Sequence, residues 1–99
     1  MMTEVEFLAG ARADFDAAFD WYSARSESAA RRFIEEVQAS LDRIALDPER
    51  FAHLDDVFRQ GRMKRFPYRI IFQHAGNRIT VMAIAHHSRR PEYWRRTVE

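Results

Sequence analysis

The residues whose types could do chemistry lie close together near the end of the chain. His86, His87 and Ser88 are consecutive. Neighbouring side chains of a β-strand point to opposite faces, so the two histidines cannot easily bind one metal ion, and the convergent ligands of a zinc site are missing. Ser88 beside His87 is reminiscent of a hydrolase, but no nucleophile elbow or orienting acid accompanies it. We therefore expect no metal site and no cofactor.

A metal-free ribonuclease is the enzyme that these residue types allow. Cleavage through a 2′-hydroxyl needs only a base, an acid and a cation near the phosphate. The residues that could fill those roles are Arg69, His86, His87, Arg89 and Tyr93. The alternative is that Tyr93 packs, that Arg69 is a solvated strand residue and that the histidines end a strand. We favour no catalytic residue on residue types alone, and whether the chain is an enzyme stays open at this point.

The charges of the chain are divided between its two halves. Up to Asp56 the sequence has thirteen acidic residues and six arginines, a net charge of −7, whereas from Val57 onward it has ten basic and two acidic residues, a net charge of +8. This asymmetry predicts a negatively charged partner, either a nucleic acid or an acidic protein surface. The residues that we expect to bind it are Arg62, Lys64, Arg65, Arg69, His87, Arg89, Arg90, Tyr93, Trp94 and Arg95. For Trp94 two roles stay open, one in the core and one at the interface.

Length and composition indicate a globular protein. The chain has 99 residues, of which 46% are hydrophobic and 31% charged, with three prolines and three glycines. We therefore expect residues 1–99 to form a single domain. No apolar run is long enough to span a membrane, and Met1–Gly10 lacks the basic start and apolar stretch of a signal peptide. Cysteine is absent, and we expect a cytoplasmic protein that does not bind membranes.

The first half of the sequence predicts one strand and two helices. Residues 3–8 alternate between apolar and polar side chains, which is the period of a strand with one buried face. Apolar residues recur at helical spacing from Phe15 to Tyr22, and this predicts a helix over residues 11–25. Ser26 is typical of a helix N-cap, and the second helix must stop just before Pro48. Two helices joined by a short turn can cover one face of a sheet.

The second half predicts an antiparallel sheet. The predicted elements are a loop over 48–56, strands over 62–66, 68–74 and 78–87, and a short helix over 92–98. Gly76 and Asn77 lie between the last two strands and are typical of a β-hairpin turn. Simple alternation places Tyr68, Ile70 and Phe72 on one face and Ile71 on the other, with Ile79, Val81, Ala83 and Ala85 opposite Met82 and Ile84. Because the helices cover one face only, we expect the C-terminal segment or another chain to cover the second.

The order of these elements resembles that of the ParE/RelE superfamily of toxins from type II toxin–antitoxin systems. The resemblance covers essentially the whole chain and is carried by residues 65–72 (RFPYRIIF) and 78–94 (RITVMAIAHHSRRPEYW), with support from 26–33 and 47–50. As a combination, these segments are typical of the ParE-like plasmid-stabilisation branch. The resemblance implies an α+β fold of two layers, β-α-α-β-β-β with a short C-terminal helix, in which an antiparallel sheet of order 1-4-3-2 carries a helical hairpin on one face.

The resemblance also implies a partner and a mode of action. The partner is a cognate antitoxin whose acidic C-terminal segment wraps the toxin, so that DNA is contacted only indirectly, through the antitoxin. ParE-like members bind and inhibit DNA gyrase, whereas RelE-like members cleave messenger RNA in the ribosome. The RelE-like interpretation falls on Arg69 and on His86 or His87, but the chain has a single lysine and continues past the histidines, which resembles the non-nuclease branch.

We therefore predict a ParE-like, growth-inhibiting toxin that binds gyrase and is neutralised by its antitoxin. The first alternative is a RelE-like ribosome-dependent endoribonuclease. The second is a non-toxic co-repressor that only assists the antitoxin. Gyrase inhibition has no residue signature, so the target rests on the resemblance alone.

Overall fold

Two helices form one layer of the structure, a computed structural model that describes residues 3–90 and 93–97. Strand β1 (Glu4–Phe7) leads into α1 (Ala9–Ser23) and α2 (Glu27–Leu46). Ser26 is the N-cap of α2, and its Oγ accepts the backbone N–H of Ala29 at 3.2 Å. Both predicted helices are confirmed, although α1 begins at Ala9, earlier than its periodicity indicated. Within the described residues, no helix is long and apolar enough to cross a membrane.

The second layer is a mixed sheet of five strands. After a 3₁₀ turn (Pro48–Arg50) the chain forms β2 (Ala52–His53), β3 (Arg59–Arg62), β4 (Tyr68–Ala75) and β5 (Arg78–His86). The strand order is β1-β5-β4-β3-β2. β1 runs parallel to β5, and the other pairs are antiparallel. The α+β class is therefore confirmed.

The predicted sheet differs from the observed one in detail. The predicted antiparallel order 1-4-3-2 lacks the edge strand β2 and misses the parallel pairing of β1 with β5. β2 has two residues, too few for an alternating pattern, and it pairs with β3 because the loop between them is closed by Asp55, whose Oδ1 accepts the N–H groups of Val57 and Phe58 at 2.8 Å each. The predicted strand over 62–66 is wrong, since β3 ends at Arg62 and a turn follows in which Arg65 has a φ of 69°.

The predicted faces of β5 are wrong after Met82, because a β-bulge interrupts the strand. Ile71 pairs with Ala83, but Phe72 pairs with Val81, so Met82 is an extra residue in the ladder. The alternation therefore changes at this point, as expected for a bulge. Before the bulge, Ile79 and Val81 face the helices. After it, Ile84 faces them, while Ala83 and Ala85 turn to the second face together with Met82.

The two faces of the sheet carry separate cores. The core against the helices includes Phe33, Val37, Ile44, Tyr68, Ile70, Phe72, Ile79, Val81 and Ile84. The core on the second face consists of Ile71, Met82, Ala83, Ala85 and Trp94. As predicted for β4, Tyr68, Ile70 and Phe72 share one face and Ile71 lies on the other.

The C-terminal segment covers the second face, which was one of the two expected coverings. It forms a 3₁₀ helix (Tyr93–Thr97) rather than the predicted helix over 92–98, whose two ends lie outside the described residues. Trp94 is 2% exposed, and its ring packs edge-on against Phe58 with the ring centroids 4.9 Å apart. Contacts to distant residues hold the segment, because Arg95 pairs with Asp55 and Tyr93 bonds to Asp14. Trp94 is therefore a core residue.

Candidate anion-binding surface

Two arginines lie opposite each other on the second face of the sheet. Arg62 of β3 pairs with Arg69 of β4, so their side chains point to the same side. The Nη1 of Arg69 donates to Gln60 Oε1 at 2.9 Å, and its buried Nε has no hydrogen-bond partner among the described residues. Gln60 is neutral and leaves the charge of Arg69 uncompensated. Like charges directly opposite each other destabilise a sheet, and an anion bound between them would relieve the repulsion.

His87 extends this arrangement at the end of β5. Its backbone N–H donates to the carbonyl of Pro67 at 2.9 Å, which holds the strand end against the start of β4. Partial desolvation lowers the pKa of His87, and the positive charges of Arg62, His86 and Arg69 lower it further. His87 is therefore mainly neutral at pH 7 and stands in the electric field of the two arginines. An anion placed there would favour its protonation.

Two further arginines contact aromatic rings of the C-terminal segment. The guanidinium of Arg89 lies 3.9 Å from the centroid of the Tyr93 ring, a cation–π contact. The hydroxyl of Tyr93 donates to Asp14 Oδ2 at 2.7 Å. Burial and this bond to Asp14 raise the pKa of Tyr93, so its hydroxyl keeps its proton. Arg95 pairs with Asp55, and its guanidinium lies 4.6 Å from the Trp94 ring centroid.

Most of the predicted binding residues lack acidic partners. In residues 3–90 and 93–97 four ion pairs form, Arg12–Asp16, Glu36–Arg43, Glu4–Arg78 and Asp55–Arg95. None of them involves the residues that we call the basic surface, namely Arg62, Lys64, Arg65, Arg69, His87, Arg89 and Arg90. Glu36 accepts the backbone N–H of Lys64, and Asp14 lies near enough to Arg89 to interact with its charge. Cations that form no ion pair are nevertheless suited to binding carboxylate or phosphate groups.

Four of the five nuclease candidates, His86, His87, Arg69 and Tyr93, do not converge on one point. His86 faces the helices, where its ring centroid lies 5.0 Å from that of Tyr68, and its Nδ1 accepts the N–H of Ser88 at 3.0 Å. Arg69 and His87 face the other side of the sheet, and the Tyr93 hydroxyl is engaged by Asp14. Over the described part of the chain, no group of three potential ligands could hold a metal ion.

Asp14 is the residue that sequence reasoning missed. Its Oδ2 accepts both the Tyr93 hydroxyl and the backbone N–H of Ile84, the latter at 3.1 Å. β1 does not reach this part of β5. The Asp14 carboxylate therefore accepts a backbone N–H at the edge of β5 that a neighbouring strand would otherwise bind. A signal was present, because Asp14 lies at helical spacing from the buried Ala11 and Ala18 and so falls on the apolar face of α1.

Comparisons with known proteins agree with this fold. The family model described as "ParE toxin of type II toxin-antitoxin system, parDE" matches residues 5–91. Among the solved structures that match is one described as the chromosomal ParDE TA system from P. aeruginosa, with 19% sequence identity and a TM-score of 0.73. The match covers 86% of this chain and 96% of that one. A search of curated proteins finds no match.

Proposed function

The chain belongs to the ParE toxin family of type II toxin–antitoxin systems, and from this we propose that it arrests growth by binding and inhibiting DNA gyrase until a cognate antitoxin neutralises it. We further propose that residues 1–99 act as one toxin domain in the cytoplasm. The observation that carries the proposal is the basic surface, in which Arg62 and Arg69 lie side by side without an acidic partner among the described residues. Such a surface is suited to binding rather than to cleavage.

The antitoxin in this proposal binds the basic surface through an acidic C-terminal segment. Carboxylates match the planar donor pattern of arginine, and the six cations of the basic surface, with His87 beside two of them, offer binding groups for an extended acidic chain. The antitoxin, and not the toxin, contacts DNA. Trp94 and the Tyr93 hydroxyl support this surface from within, because they are engaged in the second core and with Asp14.

A ribosome-dependent endoribonuclease is the second candidate, and one observation favours it. Arg62 and Arg69 lie near enough to His87 to lower its pKa, so a cation and a base share one surface. Against this candidate stands the state of the Tyr93 hydroxyl, which donates to Asp14 and has a raised pKa, so that it is poorly placed to act as the acid. We therefore place gyrase binding first.

Induction in a bacterial host tests the class of function. Expression of the chain alone should stop growth, and co-expression of the antitoxin from the adjacent reading frame should restore it. Absence of arrest would instead support the non-toxic co-repressor. The purified chain should also inhibit gyrase in a supercoiling assay and leave a defined message intact on a translating ribosome. Position-specific cleavage that disappears in His87→Ala would overturn the binding mechanism.

The antitoxin surface can be tested with a matched pair of arginines. Arg62 belongs to the basic surface, whereas Arg31 is an arginine of α2 that is also exposed. We expect Arg62→Gln to weaken antitoxin binding by about 2–5-fold at low salt, the effect of one exposed ion pair, and Arg31→Gln to leave it unchanged. Affinity should fall as salt is raised. Equal effects of the two substitutions, or binding that is independent of salt, would contradict the proposed surface.

A further inference from the structure

A pocket lies between α1, the start of β4 and the end of β5, on the helical side of the sheet. Its volume of about 360 Å³ is within the range of small-molecule sites, roughly 300–1,000 Å³. The aromatic and ionisable residues in its lining are Asp14, Trp21, Tyr22, Tyr68, His86 and Arg89. The pocket thus combines an aromatic wall with side chains of both charges.

Trp21 provides a stacking surface in this pocket. It is 51% exposed, although it is a large apolar residue. Its ring is nevertheless held in place, because the guanidinium of Arg25 lies 3.4 Å from its centroid and the ring of Tyr22 packs edge-on with the centroids 5.0 Å apart. The Nη1 of Arg25 also donates to the carbonyl of Trp21 at 3.0 Å. An indole that is both fixed and exposed is suited to stacking against another aromatic ring.

Asp14 and Arg89 bring opposite charges to the pocket. Burial raises the pKa of Asp14, whereas the bonds from Tyr93 and Ile84 and the nearby charge of Arg89 lower it. Asp14 and Arg89 are close but form none of the four ion pairs of the described residues, so their charged atoms are more than 4.0 Å apart. Tyr93 and Ile84 both bind Oδ2 of Asp14. Its Oδ1 therefore accepts no hydrogen bond from the described part of the chain.

His86 adds a hydrogen-bond donor beside Arg89. The Nδ1 of His86 accepts the backbone N–H of Ser88 at 3.0 Å. Because a backbone N–H can only donate, the proton of the neutral ring is on Nε2. The backbone N–H of Arg89 donates to the carbonyl of His86 at 3.0 Å, in a turn that brings the two residues together. An Nε2–H group and a guanidinium both suit a carboxylate.

The spacing of these features fits one small molecule. Asp14 and Trp21 are seven residues apart on α1, which is about 10 Å along the axis. A ligand that matches the whole pocket has an ammonium group, a carboxylate and an aromatic ring, whereas a ligand of one charge would leave Asp14 or Arg89 unmatched.

We propose that this pocket binds a free aromatic α-amino acid. Its ammonium group pairs with Asp14, its carboxylate binds Arg89 and the Nε2–H of His86, and its ring stacks on Trp21. The inference is independent of the proposed function, because it concerns a small molecule and neither of the protein partners.

Binding should also stabilise the fold. Tyr93 donates to Asp14 through its hydroxyl, and its ring carries the guanidinium of Arg89. A ligand on Asp14 and Arg89 therefore contacts both partners of Tyr93. Since the pocket exists only in the folded chain, L-phenylalanine at about ten times its dissociation constant should raise the melting temperature by roughly 6–11 °C.

Four probes on the wild type test the proposal. They are L-phenylalanine, 2-phenylethylamine, which lacks the carboxylate, 3-phenylpropionate, which lacks the ammonium group, and L-leucine, which lacks the ring. Tryptophan emission reports binding through Trp21, because the only other tryptophan, Trp94, is buried in the second core. We expect L-phenylalanine to bind with a dissociation constant of about 0.1–1 mM. Each of the other three should bind about fivefold more weakly.

Three substitutions assign the two charges. Asp14→Asn and Arg89→Gln each remove one charge, and Arg90→Gln is the matched control because Arg90 adjoins Arg89 and does not line the pocket. Asp14→Asn should weaken L-phenylalanine about fivefold without weakening 3-phenylpropionate. Arg89→Gln should weaken L-phenylalanine by a similar factor without weakening 2-phenylethylamine. Arg90→Gln should bind every probe as the wild type does.

Trp21→Leu tests the stacking surface. It removes the ring and the reporter together, so binding is measured from the melting temperature. At the same concentration of L-phenylalanine, this variant should show less than half of the wild-type shift.

Several results would overturn the proposal. One is equal binding of L-phenylalanine and either singly charged analogue to the wild type, since the pocket would then not recognise both charges. Others are L-leucine binding as tightly as L-phenylalanine, an equal loss in Arg90→Gln and Arg89→Gln, or no change in emission or melting temperature with L-phenylalanine. The probe series on the wild type needs no variant, so it decides the question even if a substitution impairs folding. Neither antitoxin nor gyrase enters these measurements, and their outcome is therefore separate from that of the proposed function.

Discussion

Removal of the carboxylate of Asp14, a partly exposed residue of α1, should destabilise the fold. Asp14 links three elements, because it accepts the backbone N–H of Ile84 in β5 at 3.1 Å and the hydroxyl of Tyr93 in the C-terminal segment at 2.7 Å. Asp14→Ala removes both acceptors. Asp14→Asn keeps an acceptor oxygen and is the matched control, and Tyr93→Phe removes one of the two donors.

The expected loss follows from the burial of the two donors. Ile84 is 2% exposed, so its unpaired N–H should cost about 1–3 kcal/mol. The Tyr93 hydroxyl can turn toward the carbonyl of Ile84, 3.4 Å away, so its loss should cost about 0.5–1.5 kcal/mol. We expect Asp14→Ala to lower the free energy of unfolding by about 2–4 kcal/mol and Tyr93→Phe by the smaller amount. For a chain of this size, the alanine variant should melt roughly 10–20 °C lower.

Urea unfolding followed by circular dichroism measures these differences, provided that the denaturant slope does not change. Burial raises the pKa of Asp14 above its ordinary value of 3.8, although the bonds from Tyr93 and Ile84 and the charge of Arg89 oppose the shift. Asp14→Asn avoids burying a charge and should be at least as stable as the wild type at pH 7. The folded wild type takes up a proton more readily than the unfolded chain. The stability advantage of Asp14→Asn over the wild type should therefore shrink as the pH falls through the raised pKa of Asp14 toward 3.8. An asparagine variant as unstable as the alanine variant, or no loss in either, would refute the reasoning.

Three further changes probe other parts of the fold. Gly61→Ala should lower stability by about 1–3 kcal/mol in urea unfolding, because a Cβ there would lie 3.0 Å from two ring carbons of Phe51. Ser26→Ala should cost about 0.5–2 kcal/mol in the same measurement through loss of the α2 N-cap. Bonds from Arg95 first, and then from two backbone N–H groups, lower the pKa of Asp55 to about 2. An NMR titration should therefore give that midpoint and a higher one in Arg95→Gln, and the contribution of Asp55 to stability should be present above pH 3.8 and lost as the pH falls toward 2.

The helical layer was predictable because its signals are local. The spacing of apolar residues in α1 and α2, the N-cap at Ser26 and the stop before Pro48 each depend on a few neighbouring residues. The parallel pairing of β1 with β5 depends instead on how the helices return the chain to the sheet. The bulge at Met82 could not be recognised from the sequence, because the residues of β5 are apolar on both faces. An alternation of apolar and polar residues cannot assign side chains to the two faces of a strand when both faces are buried.

The candidate site was predictable in residue type and only partly in arrangement. Charge asymmetry pointed to Arg62, Arg69 and the arginines after His87. It could not show that Arg95 has an acidic partner in Asp55, because that pair joins residues 40 positions apart. Trp94 lies next to an arginine-rich segment of the sequence, which left a role at an interface open, yet its ring lies in the second core. Contacts between residues far apart in the sequence decide which cations remain without an acidic partner. These contacts cannot be derived from the order of the charges along the chain.

Departures from local structural rules gather at one end of the sheet. Arg62 lies directly opposite Arg69, and the Nε of Arg69 is buried without a partner in the described part of the chain. Arg65 adopts a φ of 69° that few residues other than glycine accept. Each departure costs stability, and a fold keeps such costs where the affected groups serve another purpose. All three departures lie in or beside the β3–β4 turn, within the surface on which the charge asymmetry is concentrated. The strained positions and the concentration of positive charge therefore coincide, and this coincidence is a reason to propose that the surface meets an anionic partner.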